Sequence, residues 1–326
     1  MIKSHASTDK LGCEKTFQPQ KPIKTQVSKP LKINRRKSQS RSRKTPKLSL
    51  VSTAKPRDSE LKKRKEAAKP FMSAASWVAT NRGKKIAGYN EDVPREIASL
   101  TKIATCIVVL RAAEKHSYSL ETKVNVSERA SRIHGTSAEL KAGDELSVHD
   151  LLFALMLPSG NDAALVLAEE IGKLISEDTP YQAFISEMNQ LATELKLGST
   201  SFTNPHGMST SLNISTSKEI AALAHHGLKY SVFKAVCSTT SYACEVVNSE
   251  TKRRVTWTNT NQLLNRGFDG LKTGTTPSAG PCLCSYIKQG SHEVIIVLLN
   301  CHTISVRWGE TTRLWKWLQK YFLGSS

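Results

Sequence analysis

The segment from Ser99 to about His116 constrains the fold of this chain more than any other stretch. After Ser99-Leu100-Thr101-Lys102 it is apolar on nearly every side, with Ile103, Ala104, Cys106, Ile107, Val108, Val109 and Leu110. A helix that is hydrophobic all round is buried inside a large domain. Its first turn nevertheless places a hydroxyl and an amine three residues apart, on one face. The sequence therefore predicts a buried helix with Ser99 and Lys102 at its head.

The position of Lys102 favours a neutral amine. Burial penalises the ammonium form, and the positive end of the helix dipole penalises it again. A neutral amine one turn from Ser99 can remove the proton of its hydroxyl. In the alternative interpretation Ser99 only caps the helix, and the Lys102 stem extends to water. The spacing alone does not decide, because Ser-x-x-Lys also begins at Ser7, Ser52, Ser59, Ser215, Ser231, Ser249 and Ser285.

The basic charge of the chain is concentrated at its start. Residues 1–70 contain 21 Lys and Arg against 5 Asp and Glu, which accounts for +16 of the formal net charge of +19. This stretch is rich in polar residues and Pro without a sustained apolar period, which predicts a disordered tail before a globular domain over residues 71–326. Its basic clusters suit an anionic partner such as nucleic acid, a membrane surface or a transport receptor. A solvated spacer is the alternative.

Cysteine usage predicts neither a disulfide framework nor a metal site. The seven Cys are an odd number, no Cys-x-x-Cys pair occurs, and His225-His226 lacks accompanying ligands. Residues 1–30 lack the apolar core of a secretory signal, and no run approaches the length of a membrane-spanning helix. A tail poor in acids and rich in Ser and Arg is also compatible with an organellar transit peptide. The compartment is left open.

The coarse pattern predicts strands at both ends of one unit and helices between them. Predicted strands cover residues 76–80, 85–89, 122–126, 255–260, 270–274, 282–288 and 294–299. Predicted helices cover residues 99–116, 147–157, 163–171, 179–195, 217–226 and 306–322. Short turns between the strands imply an antiparallel sheet, and the whole is an α/β sandwich. The turn Pro158-Ser159-Gly160-Asn161 between two apolar helices puts small polar side chains deep in the fold, where they need partners or a function.

Three motifs stand in order along the chain: Ser99-x-x-Lys102, Ser159-Gly160-Asn161 and Lys272-Thr273-Gly274. Together they resemble the penicillin-binding proteins, and specifically the serine D-alanyl-D-alanine carboxypeptidases of low molecular mass. The resemblance extends to Leu140-Lys141-x-Gly143-Asp144 and Asn204-Pro205-His206-Gly207, and it covers about Ser73 to the C-terminus. It implies a β-lactamase/transpeptidase-like sandwich, with an antiparallel sheet and helices on both faces.

The resemblance implies a role for each residue of the first two motifs. Ser99 would attack the carbonyl of the penultimate D-alanine of a peptide ending in D-Ala-D-Ala, and Lys102 would be its general base. Ser159 would relay a proton to the departing D-alanine. Asn161 would hold Lys102 and the amide of the substrate. β-Lactams would act as acylating inhibitors, and no cofactor is implied.

The third motif would bind the substrate. Lys272 would place positive charge near the terminal carboxylate and discourage protonation of Lys102, and the Thr273 and Thr275 hydroxyls would bind that carboxylate. Gly274 would let an extended peptide lie close to the strand. The backbone N–H groups of Ser99 and Thr275 would form the oxyanion hole. Thr275 occupies a position where many relatives have His, and His206 is kept out of the catalytic set as part of a structural loop.

Two departures from the family concern location. Its members normally work outside the cytoplasmic membrane after a signal peptide, and many carry a C-terminal β-rich domain with an amphipathic anchor. Here a basic tail precedes the domain, and the sequence ends after its last predicted helix. Two other functions remain as alternatives. A class A β-lactamase would need a Glu that activates the deacylating water, typically in a Glu-x-x-Leu-Asn run, and no such run occurs between Ser159 and Lys272. A repurposed, non-catalytic binding protein would not need the intact motifs.

Overall fold

A computed structural model describes residues 69–208, 212–249 and 251–323, so the predicted disordered tail lies outside the described residues up to position 68. The strands are β1 (Ser76–Asn81), β2 (Lys84–Tyr89), β3 (Arg95–Glu96), β4 (Lys123–Asn125), β5 (Glu145–Ser147), β6 (Ile214–Ser215), β7 (Ser241–Val247), β8 (Lys252–Thr258), β9 (Gly270–Thr276), β10 (Gly280–Gln289) and β11 (His292–Leu299). The α-helices are α1 (Lys102–Lys115), α2 (Glu128–Ser131), α3 (Val148–Met156), α4 (Asn161–Lys173), α5 (Pro180–Glu194), α6 (Ser217–Gly227), α7 (Ser231–Ser238) and α8 (Val306–Leu318).

The main sheet has five antiparallel strands in the order β2-β1-β11-β10-β9. This arrangement confirms the predicted N-terminal hairpin and the predicted antiparallel strands of the last third. Strand β9, which carries the Lys-Thr-Gly motif, is the edge strand on one side. It lies against the short 3₁₀ helix Ala98–Thr101, which precedes α1. The sheet edge and the head of the buried helix therefore meet.

Both faces of the main sheet are covered, and strand β11 shows how. Ile296 and Leu298 pack in one buried cluster with Leu314 of α8. Ile295 and Val297 belong to a second cluster, which contains the central helices. Successive side chains of a strand point to opposite faces, so a strand that is apolar at every position is buried on both. The predicted α/β sandwich with helices on both faces is confirmed.

Helix α1 lies at the centre of the larger cluster. Every residue from Lys102 to Leu110 is buried, as the apolar pattern predicts. Helices α3, α4, α5 and α6 all pack against it. The capping box of Ser147 and Asp150 begins α3. Helix α3 ends at Met156, and α4 begins at Asn161, so the Pro158–Gly160 turn lies between two buried helices.

Several elements differ from the prediction. Strand β7 and helix α7 were not predicted, and β7 belongs to a second sheet in the order β4-β5-β7-β8. The last α-helix ends at Leu318 rather than 322, and residues Gln319–Leu323 continue as a π-helical turn. In the part of the chain that the structure describes, no helix is both long and apolar enough to cross a bilayer.

Candidate active site

The first two sequence motifs meet at the Nζ atom of Lys102. This atom lies 3.0 Å from the Ser99 Oγ and 2.7 Å from the Asn161 Oδ1. A third contact of 2.7 Å joins it to the backbone carbonyl oxygen of His206. Ser99 comes from the 3₁₀ helix, Lys102 from the first turn of α1, and Asn161 from the first turn of α4. Asn161 and His206, which lie 59 and 104 residues after Lys102 in the sequence, thus contact the same amine.

Lys102 is fully buried, and its environment favours the neutral amine. Burial lowers the pKa of Lys102 well below the ordinary value of 10.5, and the charge of Lys272 lowers it further, while Asp162 opposes both. A neutral amine has two N–H donors and one lone pair. The Asn161 Oδ1 and the His206 carbonyl accept the two donors, so the lone pair is left for the hydroxyl proton of Ser99.

The amide of Asn161 is held at both ends. Its Oδ1 accepts from Lys102, while its Nδ2 donates to the backbone carbonyl of His134 at 2.8 Å. The next residue, Asp162, accepts hydrogen bonds from the backbone N–H groups of Ala138 and Leu140. These contacts fix the loop between α2 and β5 against the start of α4. The predicted contact of Asn161 with the substrate amide would use a nitrogen that here already bonds His134.

Two residues other than glycine adopt positive φ angles at this site. Ala98, which precedes the nucleophile candidate, has φ +48°, and Ser159 has φ +68°. Such conformations cost roughly 1–3 kcal/mol each and concentrate at functional sites. The Ser159 Oγ is buried and has no hydrogen-bond partner among the described residues. An unsatisfied buried hydroxyl is costly, and such a group in a native fold calls for a functional explanation.

Strand β9 presents Lys272 next to this centre. The Lys272 side chain is buried, and its Nζ donates to the carbonyl of Thr273 at 3.0 Å. Burial lowers the pKa of Lys272 to about 7, with Cys237 opposing and the nearby charge of Arg307 adding to the decrease. A cation therefore stands beside Lys102 below about pH 7, in keeping with the expected effect on the pKa of Lys102.

Gly274 of strand β9 lies close against the segment that carries Ser99. A Cβ built there would lie 3.0 Å from the backbone nitrogen of Ser99 and 3.0 Å from the carbonyl oxygen of Ile97. The bare face of Gly274 is therefore turned toward the segment 97–99, which gives a different reason for the glycine than approach of a substrate peptide. Strand β9 therefore lies directly against the backbone of Ser99 at this residue.

Arg307, which was not predicted from the sequence, lies in the first turn of α8. Its Nη1 donates to the carbonyl of Gly274 at 3.2 Å, to the carbonyl of Cys282 at 3.1 Å and to the Thr275 Oγ1 at 3.3 Å. A cation in the first turn of a helix opposes the helix dipole, which is the one signal in the sequence that could have singled it out. The Thr273 hydroxyl lies 2.7 Å from that of Thr260, which was also not predicted.

The His206 loop supports the site through its backbone. Burial lowers the pKa of the His206 ring to about 3, so the ring is neutral near pH 7. Its Nδ1 accepts from the backbone N–H of Met208 at 3.1 Å, while its carbonyl accepts from Lys102. Gly207 follows with φ +85° and packs on the carbonyl of Ala98. The loop therefore holds both Lys102 and the residue before Ser99.

A serine hydroxyl facing the lone pair of a buried neutral lysine, at the edge of an antiparallel sheet, defines the class of serine acyl-transfer enzymes with a lysine base. The sequence profile of the D-alanyl-D-alanine carboxypeptidase family matches residues 63–303. A D-alanyl-D-alanine carboxypeptidase of Streptomyces sp. (strain K15) is 34% identical over 256 residues, which cover 76% of this chain and 87% of the relative. DacF of Bacillus subtilis is 31% identical, and the match covers 74% of this chain and 60% of that relative.

A solved structure agrees with these sequence matches. The crystal structure of the Streptomyces K15 DD-transpeptidase superposes with a TM-score of 0.72 at 33% identity, covering 76% of this chain and 98% of that one. The fold is the transpeptidase/β-lactamase-like fold that the resemblance predicted. This chain belongs to the D-alanyl-D-alanine carboxypeptidase family.

Proposed function

We propose that residues 71–326 form a serine D-Ala-D-Ala carboxypeptidase, which removes the terminal D-alanine of peptidoglycan-type peptides through an acyl-enzyme on Ser99. One observation carries the proposal: the buried Lys102 Nζ lies 3.0 Å from the Ser99 Oγ, with its other two contacts accepting its protons. Lys102 takes the hydroxyl proton while the Ser99 oxygen attacks the carbonyl of the penultimate D-alanine. The N–H groups of Ser99 and Thr275 bind the developing oxyanion.

The leaving D-alanine needs a proton on its nitrogen. The Ser159 hydroxyl is suited to relay it, since it is buried beside Asn161 and has no other partner among the described residues. Lys102 returns the proton through this hydroxyl, so the amine leaves neutral and the ester remains on Ser99. Water then attacks the ester with Lys102 again as base, which restores the enzyme. A β-lactam follows the first half of this sequence and stays attached to Ser99.

The terminal carboxylate of the substrate would lie between β9 and α8. Thr273 and Thr275 offer hydroxyls, Lys272 offers an ammonium group below about pH 7, and Arg307 offers a guanidinium group. Arg307 is already held by two backbone carbonyls, so its position costs little further ordering on binding. A charged clamp at the end of the peptide favours removal of a terminal residue.

Transpeptidation is the second candidate function. The Streptomyces K15 crystal structure is described as a DD-transpeptidase, although the curated relative from the same strain is called a carboxypeptidase. The two reactions share the acyl-enzyme and differ only in whether water or an amine attacks it. Adding an acceptor amine such as glycine to the assay would separate them, since a transpeptidase would convert the peptide to the glycine product.

The decisive experiment uses the purified chain with a labelled penicillin and, separately, with a peptide ending in D-Ala-D-Ala. We expect a stable label on Ser99, its loss in Ser99→Ala, and release of D-alanine from the peptide. Lys102→Arg should lower the labelling rate by about 10²–10⁴-fold because a guanidinium stays protonated. Lys115→Arg, exposed at the end of the same helix, is the matched control. Rapid turnover of the drug would indicate a β-lactamase, and no labelling would indicate a binding protein.

For residues 1–70 we propose a separate role in binding an anionic partner, supported by their net charge of +16. Deletion of residues 1–70 should leave penicillin labelling unchanged and abolish retention on a polyanion such as heparin. Equal retention of the full and shortened chains would contradict this role, and a large loss of labelling would show that the segment supports the enzyme directly.

A further inference from the structure

A cleft of about 520 Å³ lies beside the carboxylate end of the site, between residues 258–265 and the first turn of α8. Two of its lining residues also bond strand β9. The Thr260 hydroxyl lies 2.7 Å from that of Thr273, and Arg307 donates to the Thr275 hydroxyl at 3.3 Å. The cleft therefore adjoins the β9 hydroxyls to which the terminal carboxylate of the substrate is assigned.

The cleft is much larger than a terminal D-alanine needs. The alanine side chain is one methyl group, whereas pockets of roughly 300–1,000 Å³ hold whole small molecules. The amides of Asn259, Gln262 and Asn265 line the cleft, and Arg307 is the one charged side chain among its described lining residues. Asn261 also lines it, and its buried Nδ2 has no hydrogen-bond partner among the described residues. These groups suit a polar side chain that is neutral or acidic, and the Arg307 charge disfavours a cationic one.

We propose that this cleft is the subsite for the side chain of the leaving residue, and that the enzyme also releases D-amino acids with long neutral or acidic side chains when they follow D-alanine. The proposal rests on the acyl-enzyme chemistry of the proposed function. The bond from the Ser99 Oγ to the D-alanine carbonyl carbon forms as the bond from that carbon to the leaving nitrogen breaks. The nitrogen takes the proton that Ser99 lost, and water later cleaves the ester.

The test compares diacetyl-L-Lys-D-Ala-D-X peptides in which X is Ala, Gln or Lys. We expect kcat/KM for D-Gln to lie within about threefold of that for D-Ala, because the cleft accepts the longer side chain. D-Lys should be about tenfold poorer than D-Gln, because its charge would approach Arg307. A D-Gln peptide cleaved tenfold or more slowly than the D-Ala peptide would overturn the subsite. Absence of D-alanine release from the D-Ala peptide would overturn the proposed function itself.

Two Thr→Trp variants on strand β8 test whether the cleft is the site that accepts the D-Gln side chain. Thr258 lines the cleft, whereas Thr256 is exposed on the same strand and does not line it. Thr258→Trp should fill the cleft and lower the ratio of kcat/KM for D-Gln to that for D-Ala at least about tenfold. Thr256→Trp should leave this ratio at the wild-type value. Equal ratios in the two variants would overturn the assignment of the cleft, since only Thr258→Trp changes its volume.

Discussion

The Nζ of Lys102 lies 2.7 Å from the Oδ1 of Asn161, whose Nδ2 donates to the carbonyl of His134. The amide therefore presents a neutral acceptor, rather than a charged one, to the buried amine. A carboxylate in the same place would stabilise the ammonium form and raise the pKa of Lys102, because an opposite charge within hydrogen-bond distance favours the charged state. The neutrality of Lys102 thus depends on the residue type at position 161.

Asn161→Asp tests this dependence. We expect penicillin labelling of Ser99 at pH 7 to slow at least about 100-fold, because the base is protonated, and to recover as the pH rises. Stopped-flow labelling across pH 6–10 measures the shift. Asn125→Asp, at an exposed position of strand β4, makes the same change of residue away from the site and should leave the pH profile of labelling unchanged. An unshifted profile in Asn161→Asp would remove Lys102 from the role of base.

The lowered pKa of Lys272 predicts that the free energy of unfolding depends on pH. Its pKa is about 7 in the folded chain and 10.5 as an ordinary lysine, so between these values the unfolded chain holds a proton that the folded chain has lost. Stability therefore rises with pH in this window, and the contribution of Lys272 to the free energy of unfolding should increase by about 2 kcal/mol from pH 7 to pH 9. Lys272→Met removes the titrating group, so its stability should rise less across this range.

Urea unfolding at both pH values measures the difference between wild type and variant. Lys288→Met on strand β10 is the control, because this lysine is largely exposed. The free energy of unfolding of Lys288→Met should rise between the two pH values by as much as that of the wild type. Parallel curves for wild type and Lys272→Met would show that the folded chain keeps the Lys272 ammonium charged well above pH 7.

The position of Arg307 predicts that it binds the terminal carboxylate of the substrate. If its guanidinium binds the terminal carboxylate, Arg307→Gln should lower kcat/KM for a peptide ending in D-Ala-D-Ala by about 10–100-fold. The same peptide ending in a carboxamide offers no charge to bind, and it should lose less than about threefold. Arg313→Gln, exposed on the same helix, is the matched control. Equal losses with both peptides would mean that Arg307 only supports strand β9.

The role of Lys102 could be predicted from the sequence, whereas that of Arg307 could not. Lys102 could be predicted because an unbroken apolar helix must be buried, and a lysine at its head is then an anomaly that its own neighbours reveal. Arg307 reaches the site only because α8 packs on β10 and β11, which brings its guanidinium to the carbonyls of Gly274 and Cys282. No residue near Arg307 in the sequence indicates this packing. The supporting carbonyls of His134 and His206 were out of reach for another reason. They are backbone atoms, which every residue type provides equally.

Strand β7 could not be predicted from the sequence for a different reason. Its side chains alternate between exposed and half-buried positions, and only Val246 is fully buried. The period is that of a strand, but Ser241, Ala243 and Cys244 give it little apolar contrast. Pairing with β8 over seven residues sets its conformation instead. Long-range pairing of this kind cannot be seen in a local window, whereas the strongly apolar β10 and β11 were predicted from their own residues.

The close contact of Gly207 with Ala98 predicts that this glycine sets the position of Ser99. It has φ +85°, and a Cβ built on it would lie 2.0 Å from the carbonyl oxygen of Ala98, so any side chain must displace the segment that carries Ser99. Gly207→Ala should therefore slow penicillin labelling at least about tenfold, and it should lower the free energy of unfolding by more than about 1 kcal/mol. Gly198→Ala is the control, because no atom lies within 4 Å of its built Cβ and its φ is not in the left-handed region. Labelling kinetics and urea unfolding of both variants provide the two readouts. Labelling at the wild-type rate by a destabilised Gly207→Ala would show that the loop supports the fold without setting the position of Ser99.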